Sequence, residues 1–387
     1  MTSNKDELKE YEQQLGAAVR AKKKYLASAL LSEAEECILM IGGASDHESY
    51  KRNVLPYWKK FGYVPEKIWF QLAGSRDNVT DPRSMPHDLL YNEIVPYLNN
   101  MQFADAVTDK SYYGMWFPDA RQAGTICCRV AGVYYDGGMN IISRGEALSL
   151  CVDSACEIFI KPSLYTSASR GISMADTRCT DASDLEEIFE KTGMNFIVQQ
   201  KIEMHPELAV LSPDSVPVVR INSLLMDDEV HILSEVMRVG ARGEKVPFQK
   251  KGGYYTEILK DGSLFDKVLF VAHHESENEW SRELSWRSAE EYGYFDCSYR
   301  VPMLDRMRGL TKKLHPRLAR FRYIGWDLTL DRDGEPVLIE INLSPGILCG
   351  QVSICAPVFG DMTDRILEDF FFERSLENVQ TQGLLVQ

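Results

Sequence analysis

The stretch from Gly325 to Gly346, GWDLTLDRDGEPVLIEINLSPG, holds three oxygen-bearing side chains at spacings that two paired strands can bring together. Asp327 lies on the first predicted strand; Glu340 and Asn342 lie two apart on the second, and so on one face of it. Arg332-Asp333-Gly334 supplies the turn between them. Carboxylate and amide oxygens suit a hard cation such as Mg²⁺, with Mn²⁺ as the alternative, which takes a few protein ligands and completes its shell with phosphates and water. An acidic pair on a strand can also simply face water. Here the neighbours Ile339 and Ile341 are apolar, and a carboxylate in that setting needs a partner.

Three cations sit in similarly apolar surroundings. Lys161 follows the run EIFI, Arg220 lies in VVRIN and Arg238 in VMRVG. A buried guanidinium or ammonium demands a phosphate or a carboxylate, so each residue is a candidate for anion binding or for a structural ion pair. The adjacent His273 and His274 show no spacing that would ligate a metal.

The elements that must position these residues follow from pattern. Residues 3–40 are rich in Ala, Leu, Glu and Lys and predict a helix. From 45 to 100, prolines at 56, 65, 82, 86 and 96 divide the chain into short helices and turns. TICCRVAGVYYD and EIFIKPS read as strands with Asp136-Gly137-Gly138 as the turn between them, Asp184 to Thr192 as a helix, and FIVQQKI as a buried strand, an α/β texture. VPVVRINSLLM, EVHILSEVMRVG and the stretch around Gly252-Gly253 follow as strands, with a turn at Asp227-Asp228. Residues 275–299 fit no pattern. A helix over 302–321 leads into the Gly325 hairpin.

The chain has 387 residues with 44% hydrophobic content, enough for two or three structural units. Its 57 Asp and Glu against 43 Lys and Arg leave a net charge of −14, a field that repels nucleic acid and anionic lipid. An anionic substrate would therefore need local cations and a divalent metal to reverse that field. The first thirty residues are too charged for a signal peptide, and no apolar run reaches membrane-spanning length, so the expectation is a cytoplasmic protein without membrane insertion. Nine cysteines, irregularly spaced and without a CxxC pair, argue against a disulfide framework or a zinc site.

The 13-residue step from Asp327 to Glu340, the Glu340-x-Asn342 pair and the following Ser344-Pro345-Gly346 resemble the closing motif of ATP-grasp ligases, D-alanine–D-alanine ligase among them. Over about residues 45 to 370 the chain is similar to the sugar-transfer-associated ATP-grasp branch, through TDKSYY at 108–113, FIKPS at 159–163, and VQQKIEMHPEL followed by SVPVVRI. The resemblance implies an α+β ATP-grasp fold, two α/β subdomains clamping ATP, with a mostly helical N-terminal region over 1–105, a nucleotide-binding subdomain over 106–205 and a catalytic, metal-binding subdomain over 206–375.

The same resemblance assigns roles. Lys110 and Lys161 match the lysines that contact nucleotide phosphates. The loop at 163–172, with Ser169 and Gly171, occupies the place of the phosphate-covering loop, and its small residues would let backbone N–H groups approach. Gln199, Gln200, Lys201 and Ile202 match the strand whose backbone reads adenine, with Glu203 or His205 in reach of the ribose. Two departures stand out. D-alanine ligases carry an arginine two residues before the metal aspartate, where this chain has Gly325, so Arg220, Arg322 and Arg238 are the candidates for the acyl-phosphate contact. The branch also tends to carry Asp-Asn shortly before its Gly-Gly, where this chain has Pro247 to Lys251. The implied activity is ATP-dependent ligation of a carboxylate to an amine through an acyl phosphate, joining an amino acid to a sugar acid or small carboxylate. A kinase acting on a hydroxyl and a non-catalytic nucleotide-binding scaffold are the rivals. The implied partners are small molecules, ATP and Mg²⁺, not nucleic acid, with oligomeric state open.

Overall fold

The computed structural model describes residues 3–45, 47–164, 171–246, 252–275, 280–296 and 298–384. The chain forms two compact units, one joining 1–98 with 355–387 and the other spanning 99–354. The C-terminal stretch thus belongs with the N-terminal region, and both sheets fall within one unit.

The first unit is helical, as its composition predicts. Helix α1, Ser3–Ile41, buries Ala34 and Cys37 near its end, whereas Leu15, Val19 and Tyr25 stay exposed. Short helices follow, punctuated by proline: Pro56 sits in the first turn of Leu55–Lys59, and Pro86 precedes His87–Leu89. Trp58, Trp69, Phe70, Met85 and Ile94 fill the core, together with Ile366 and Leu367 of the closing helix Thr363–Leu384.

The second unit carries two antiparallel sheets. The first consists of β1 (Thr125–Val130), β2 (Val133–Asp136), β3 (Ile141–Ile142), β4 (Glu157–Pro162), β5 (Ser173–Asp176) and β6 (Phe196–Gln200), in the order β3-β2-β1-β6-β4-β5. The helices α2 (Arg144–Asp153) and α3 (Ala182–Thr192) cover one face, where Leu148, Cys151, Leu185 and Phe189 meet Cys127, Ile158, Ile160 and Val198. Strand periodicity then turns Phe159 and Lys161 to the other face. The reading of TICCRVAGVYYD and EIFIKPS as strands joined by a turn omits β3 and α2. A capping box, Ser143 with Glu146, starts that helix and was readable as such. Strand β6 lies antiparallel between β1 and β4, so the strand–helix–strand texture belongs to an α+β unit, as expected for the fold class.

The second sheet has the order β11-β10-β9-β8-β7-β12-β13, built from β7 (Val218–Met226), β8 (Glu229–Gly240), β9 (Gly253–Glu257), β10 (Lys267–Glu275), β11 (Trp280–Ser288), β12 (Tyr323–Leu330) and β13 (Pro336–Asn342). Asp227 and Asp228, with φ of 51° and 62°, form the tight turn that joins β7 to β8. Strand β11 lies in the stretch that fitted no sequence pattern: Ser281, Glu283, Ser285 and Arg287 alternate with the buried Leu284, but Arg282 and Ser288 share its face and break the apolar pattern. Helix α4, Leu304–Leu314, is shorter than the expected 302–321; Pro316 lies in the 3₁₀ turn that ends it. Its Leu304, Met307 and Leu314 pack with Val219, Ile221, Ile324, Trp326 and Leu328 on one face of the sheet.

A buried chain of hydrogen bonds locks β7 to β12 on that side. Trp326 Nε1 donates to Ser223 Oγ at 2.8 Å, Ser223 Oγ meets His315 Nδ1 at 2.8 Å, and His315 Nε2 lies 2.9 Å from the Phe321 carbonyl. Burial pushes the His315 imidazole down to about 4, so it stays neutral. With one face closed by this core, the alternate residues of β7, β8, β12 and β13 are committed to the opposite face.

Candidate active site

On that opposite face the register lines up a row of charges. Glu340 on β13 pairs across from Asp327 on β12, which pairs across from Arg220 on β7. The next row is Asn342, Gly325 and Asn222. Arg238 stands on β8 opposite Val218, two residues from Arg220 along the same face.

Asp327 is 3% exposed and gathers both arginines. Arg220 Nε donates to Oδ1 at 2.5 Å and Nη2 to Oδ2 at 3.0 Å, while Arg238 Nη1 donates to Oδ2 at 2.7 Å. Burial alone would push the Asp327 carboxyl up, but the two guanidiniums outweigh it and hold the pKa below the usual range. Reciprocally, burial works against the charge on Arg220 and Asp327 more than restores it. Among the described residues Oδ1 accepts one hydrogen bond and Oδ2 two, which leaves a lone-pair position on Oδ1.

Lys110 Nζ donates to Glu340 Oε1 at 2.9 Å, and Tyr113, one turn further on, accepts the Ile341 N–H on its hydroxyl at 3.0 Å. Lys161 reaches the same neighbourhood from the six-stranded sheet. Its ammonium is lowered to about 8, first by burial and then by the Lys110 charge, with Glu340 pulling the other way. Among the described residues, four cations, Lys110, Lys161, Arg220 and Arg238, thus stand against Asp327 and Glu340, with the buried Asp109 beside Lys110 capping its own turn. The surplus charge is positive in a chain of net charge −14.

Gly325 is explained by close approach. A Cβ there would lie 2.9 Å from Asn222 Oδ1, 3.1 Å from Pro345 and 3.2 Å from Arg220 Cδ, so no arginine fits that position in this arrangement. The guanidiniums come instead from the two neighbouring strands. Asn222 Oδ1 and Asn342 Nδ2, on either side of the glycine, are buried without a hydrogen-bond partner among the described residues. Arg322 stands apart from this group: it precedes β12, five residues from Asp327 and off its face, with its Nε 3.4 Å from the Leu225 carbonyl.

The segment expected to read the nucleobase divides in two. Gln199 Nε2 is tied to the Ala123 carbonyl and Thr125 Oγ1, both at 3.3 Å, across the β1–β6 pairing. Gln200, Lys201, Ile202 and Glu203 line a cavity of about 330 Å³ together with Arg121 and Asp333. His205 accepts the Glu207 N–H at 3.3 Å and caps the helical turn Pro206–Ala209. Asp331, just past the end of β12, borders the cavity, and Asp327 lies four residues back on that strand, ~13 Å at strand spacing. Gly171 adopts φ of 70°, with Pro162 closing in on the position of a Cβ, and Ser169 lies outside the described residues.

Asn222 and Tyr113 were not singled out from the sequence. Asn222 was within reach of that reading, since it follows Arg220 by two on a strand; Tyr113 was not, because its role depends on a distant strand edge. Among the described residues no three His, Cys, Asp or Glu side chains cluster as a metal site. The oxygen donors here are Glu340, Asn342 and the open lone pair of Asp327, a set that fits a Mg²⁺ ion completed by phosphate oxygens.

A family model described as sugar-transfer associated ATP-grasp matches residues 92–362. Among solved structures, the chain is similar to the VanG D-Ala:D-Ser ligase from Enterococcus faecalis, at 14% identity and a TM-score of 0.40, covering 68% of this chain and 61% of that one. It is similar to D-alanyl-alanine synthetase A from Vibrio cholerae, at 11% identity and a TM-score of 0.40, covering 69% and 65%. It is also similar to the ATP-grasp ligase PsnB complexed with minimal precursor, at 11% identity and a TM-score of 0.34, covering 70% and 63%. The matches thus span somewhat under two thirds of those chains. No curated protein matches the sequence.

Proposed function

The chain belongs to the sugar-transfer associated ATP-grasp family, and from that premise we propose that it is an ATP-dependent ligase that joins a carboxylate to an amine through an acyl phosphate. The observation that carries the proposal is the surplus of buried and half-buried cations around Asp327 and Glu340, in a protein whose overall field is strongly negative. Such a cluster is stable in isolation only with its ion pairs, and it leaves Lys161 for an anion.

In this reading Lys110 and Lys161 neutralise the phosphates of ATP. The nucleoside lies toward Gln200 to Glu203, one nucleotide length along β12 from the charged row. Glu340 and Asn342, with the open lone pair of Asp327, would hold Mg²⁺, which draws negative charge from the phosphate oxygens. Arg220 and Arg238, oriented by Asp327, face the phosphoryl group as it moves. A substrate carboxylate oxygen attacks the γ-phosphorus, and the bond to the ADP oxygen breaks. The amine then attacks the acyl carbon and inorganic phosphate leaves with the electron pair of the C–O bond. Positioning and charge stabilisation do most of the catalysis in such a scheme. The supply of ATP and Mg²⁺ makes the cytoplasm its place of action.

The test is product analysis with panels of amino acids against sugar acids and small carboxylates. A ligase releases phosphate only when acid and amine are both present. ADP formed with a phosphorylated hydroxyl product would favour a kinase, and nucleotide binding without turnover on any panel would favour a scaffold.

A further inference from the structure

Strand β13 is the outer strand of its sheet, so its outward N–H groups have no strand to bond. Two of them find other partners: Leu338 N–H donates to the Arg121 carbonyl at 2.8 Å, and Ile341 N–H to Tyr113 Oη at 3.0 Å. One of these positions is even and the other odd, which a regular strand does not allow. The reason is a bulge. Asp327 pairs with Glu340 and Leu328 with Leu338, so Ile339 is an extra residue, and the outward phase changes across it.

The bulge decides where Glu340 and Asn342 point. Side chains alternate with period two, so moving the extra residue past Glu340 would turn that side chain away from Asp327. The hydrogen bond from Ile341 N–H is made only with the bulge where it is. Tyr113 is 2% exposed and held on its other side by Phe117, at 5.7 Å between ring centres. Its turn is anchored where Asp109 Oδ1 accepts the Ser111 N–H at 2.9 Å and the Lys110 N–H meets the Ser163 carbonyl at 3.2 Å. The same turn carries Lys110 to Glu340 Oε1.

We propose that Tyr113 is a positioning residue whose hydroxyl pins the β13 bulge and so keeps Glu340 and Asn342 on the metal-binding face. The proposal rests on the reading of those two residues as metal ligands. It also couples the phosphate-binding lysine to the metal side chains, since Lys110 and Tyr113 grip consecutive residues of β13 from one turn.

The test measures ADP affinity by calorimetry with and without Mn²⁺ in the wild type, Tyr113→Phe and Phe117→Leu. Wild type should gain affinity from Mn²⁺. Tyr113→Phe should lose ~10-fold or more of that gain, as loss of a group that orients metal ligands does, with metal-free ADP affinity unchanged. Its Ile341 amide should also exchange hydrogen faster than in wild type. Phe117→Leu, which removes the ring packed against Tyr113 and leaves the Tyr113 hydroxyl in place, should lower the melting temperature and keep the Mn²⁺ gain. A full Mn²⁺ gain in Tyr113→Phe overturns the proposal, and so does an equal loss in Phe117→Leu or a Tyr113→Phe protein that does not fold. A wild type that binds ADP but gains nothing from Mn²⁺ overturns the metal assignment and this inference together.

Discussion

The two sheets of residues 99–354 treat polar side chains in opposite ways. On the seven-stranded sheet, charges face each other in register across three strands, and each carboxylate has a cation within hydrogen-bonding distance. On the six-stranded sheet the corresponding face presents Lys161, the carboxylate of Glu157 on the same strand is paired with Lys201 and Lys245, and Gln199 is absorbed by the neighbouring strand. The difference is one of preorganisation. The first face is a finished electrostatic device whose groups are held whether or not substrate is present; the second supplies an ammonium that burial keeps near its discharge point until an anion arrives.

The largest effect should come from breaking the finished side. Asp327→Asn leaves two guanidiniums facing a neutral amide in a buried place, at a cost of about 3–5 kcal/mol. Chemical denaturation reads the loss, and turnover should vanish in whatever remains folded. Arg220→Met is expected to destabilise too, because Asp327 loses its bidentate partner, so Arg220→Lys is the cleaner probe of phosphoryl transfer. It keeps the charge and loses the fork, and turnover should fall ~10²-fold with a smaller change in ATP affinity.

Glu340→Gln should act more selectively. The Glu340 side chain is 27% accessible but Lys110 is only 7% exposed, so the change leaves a buried ammonium facing a neutral amide and should cost stability, less than Asp327→Asn because one partner is wet. Affinity for nucleotide in the presence of Mg²⁺ should drop much further than affinity without it. A parallel drop in both would place the carboxylate's effect on Lys110 alone.

The unfinished side should reveal itself through pH. Lys161 has a folded pKa of about 8, below the ordinary lysine value of ~10.4, so between those two values the unfolded chain holds a proton that the folded chain has lost. Stability of the free protein therefore rises with pH across that window. Nucleotide affinity should run the other way, falling by up to ~10-fold per pH unit above about 8, because phosphate needs the charged ammonium. Lys161→Met should flatten both profiles; unchanged profiles would assign the titration to another group.

The smallest effects belong to the nucleobase end. Gln199→Leu breaks two long hydrogen bonds and should cost stability of ~1 kcal/mol with little change in binding. Gln200→Ala should instead alter the preference for ATP over GTP while leaving the melting temperature alone.

How much of this was legible in the sequence depends on how local the determinants are. Asp327, Glu340 and Asn342 share one hairpin with an obvious turn, so their proximity was legible, while the register that sets Glu340 opposite Asp327 depends on the bulge at Ile339. Arg220 and Arg238 were legible as buried cations needing a partner, but not that Asp327 is the partner of both, since that depends on the strand order β8-β7-β12. The bulge at Ile339, and with it Tyr113, has no local signature in PVLIEIN. Strand β11 escaped because it is held by pairing with β10 along its whole length, not by an apolar pattern of its own. Helix α2 was missed in spite of a local signal, Ser143 with Glu146.

The most direct test of the central claim is a crystal structure with a non-hydrolysable ATP analogue and Mg²⁺. The account predicts the triphosphate within hydrogen-bonding reach of Lys110, Lys161 and at least one of Arg220 and Arg238, the metal on Glu340 and Asn342, and the base beside Gln200 to Glu203. A nucleotide bound away from the Glu340–Asp327–Arg220 row, with those ion pairs undisturbed, would contradict it.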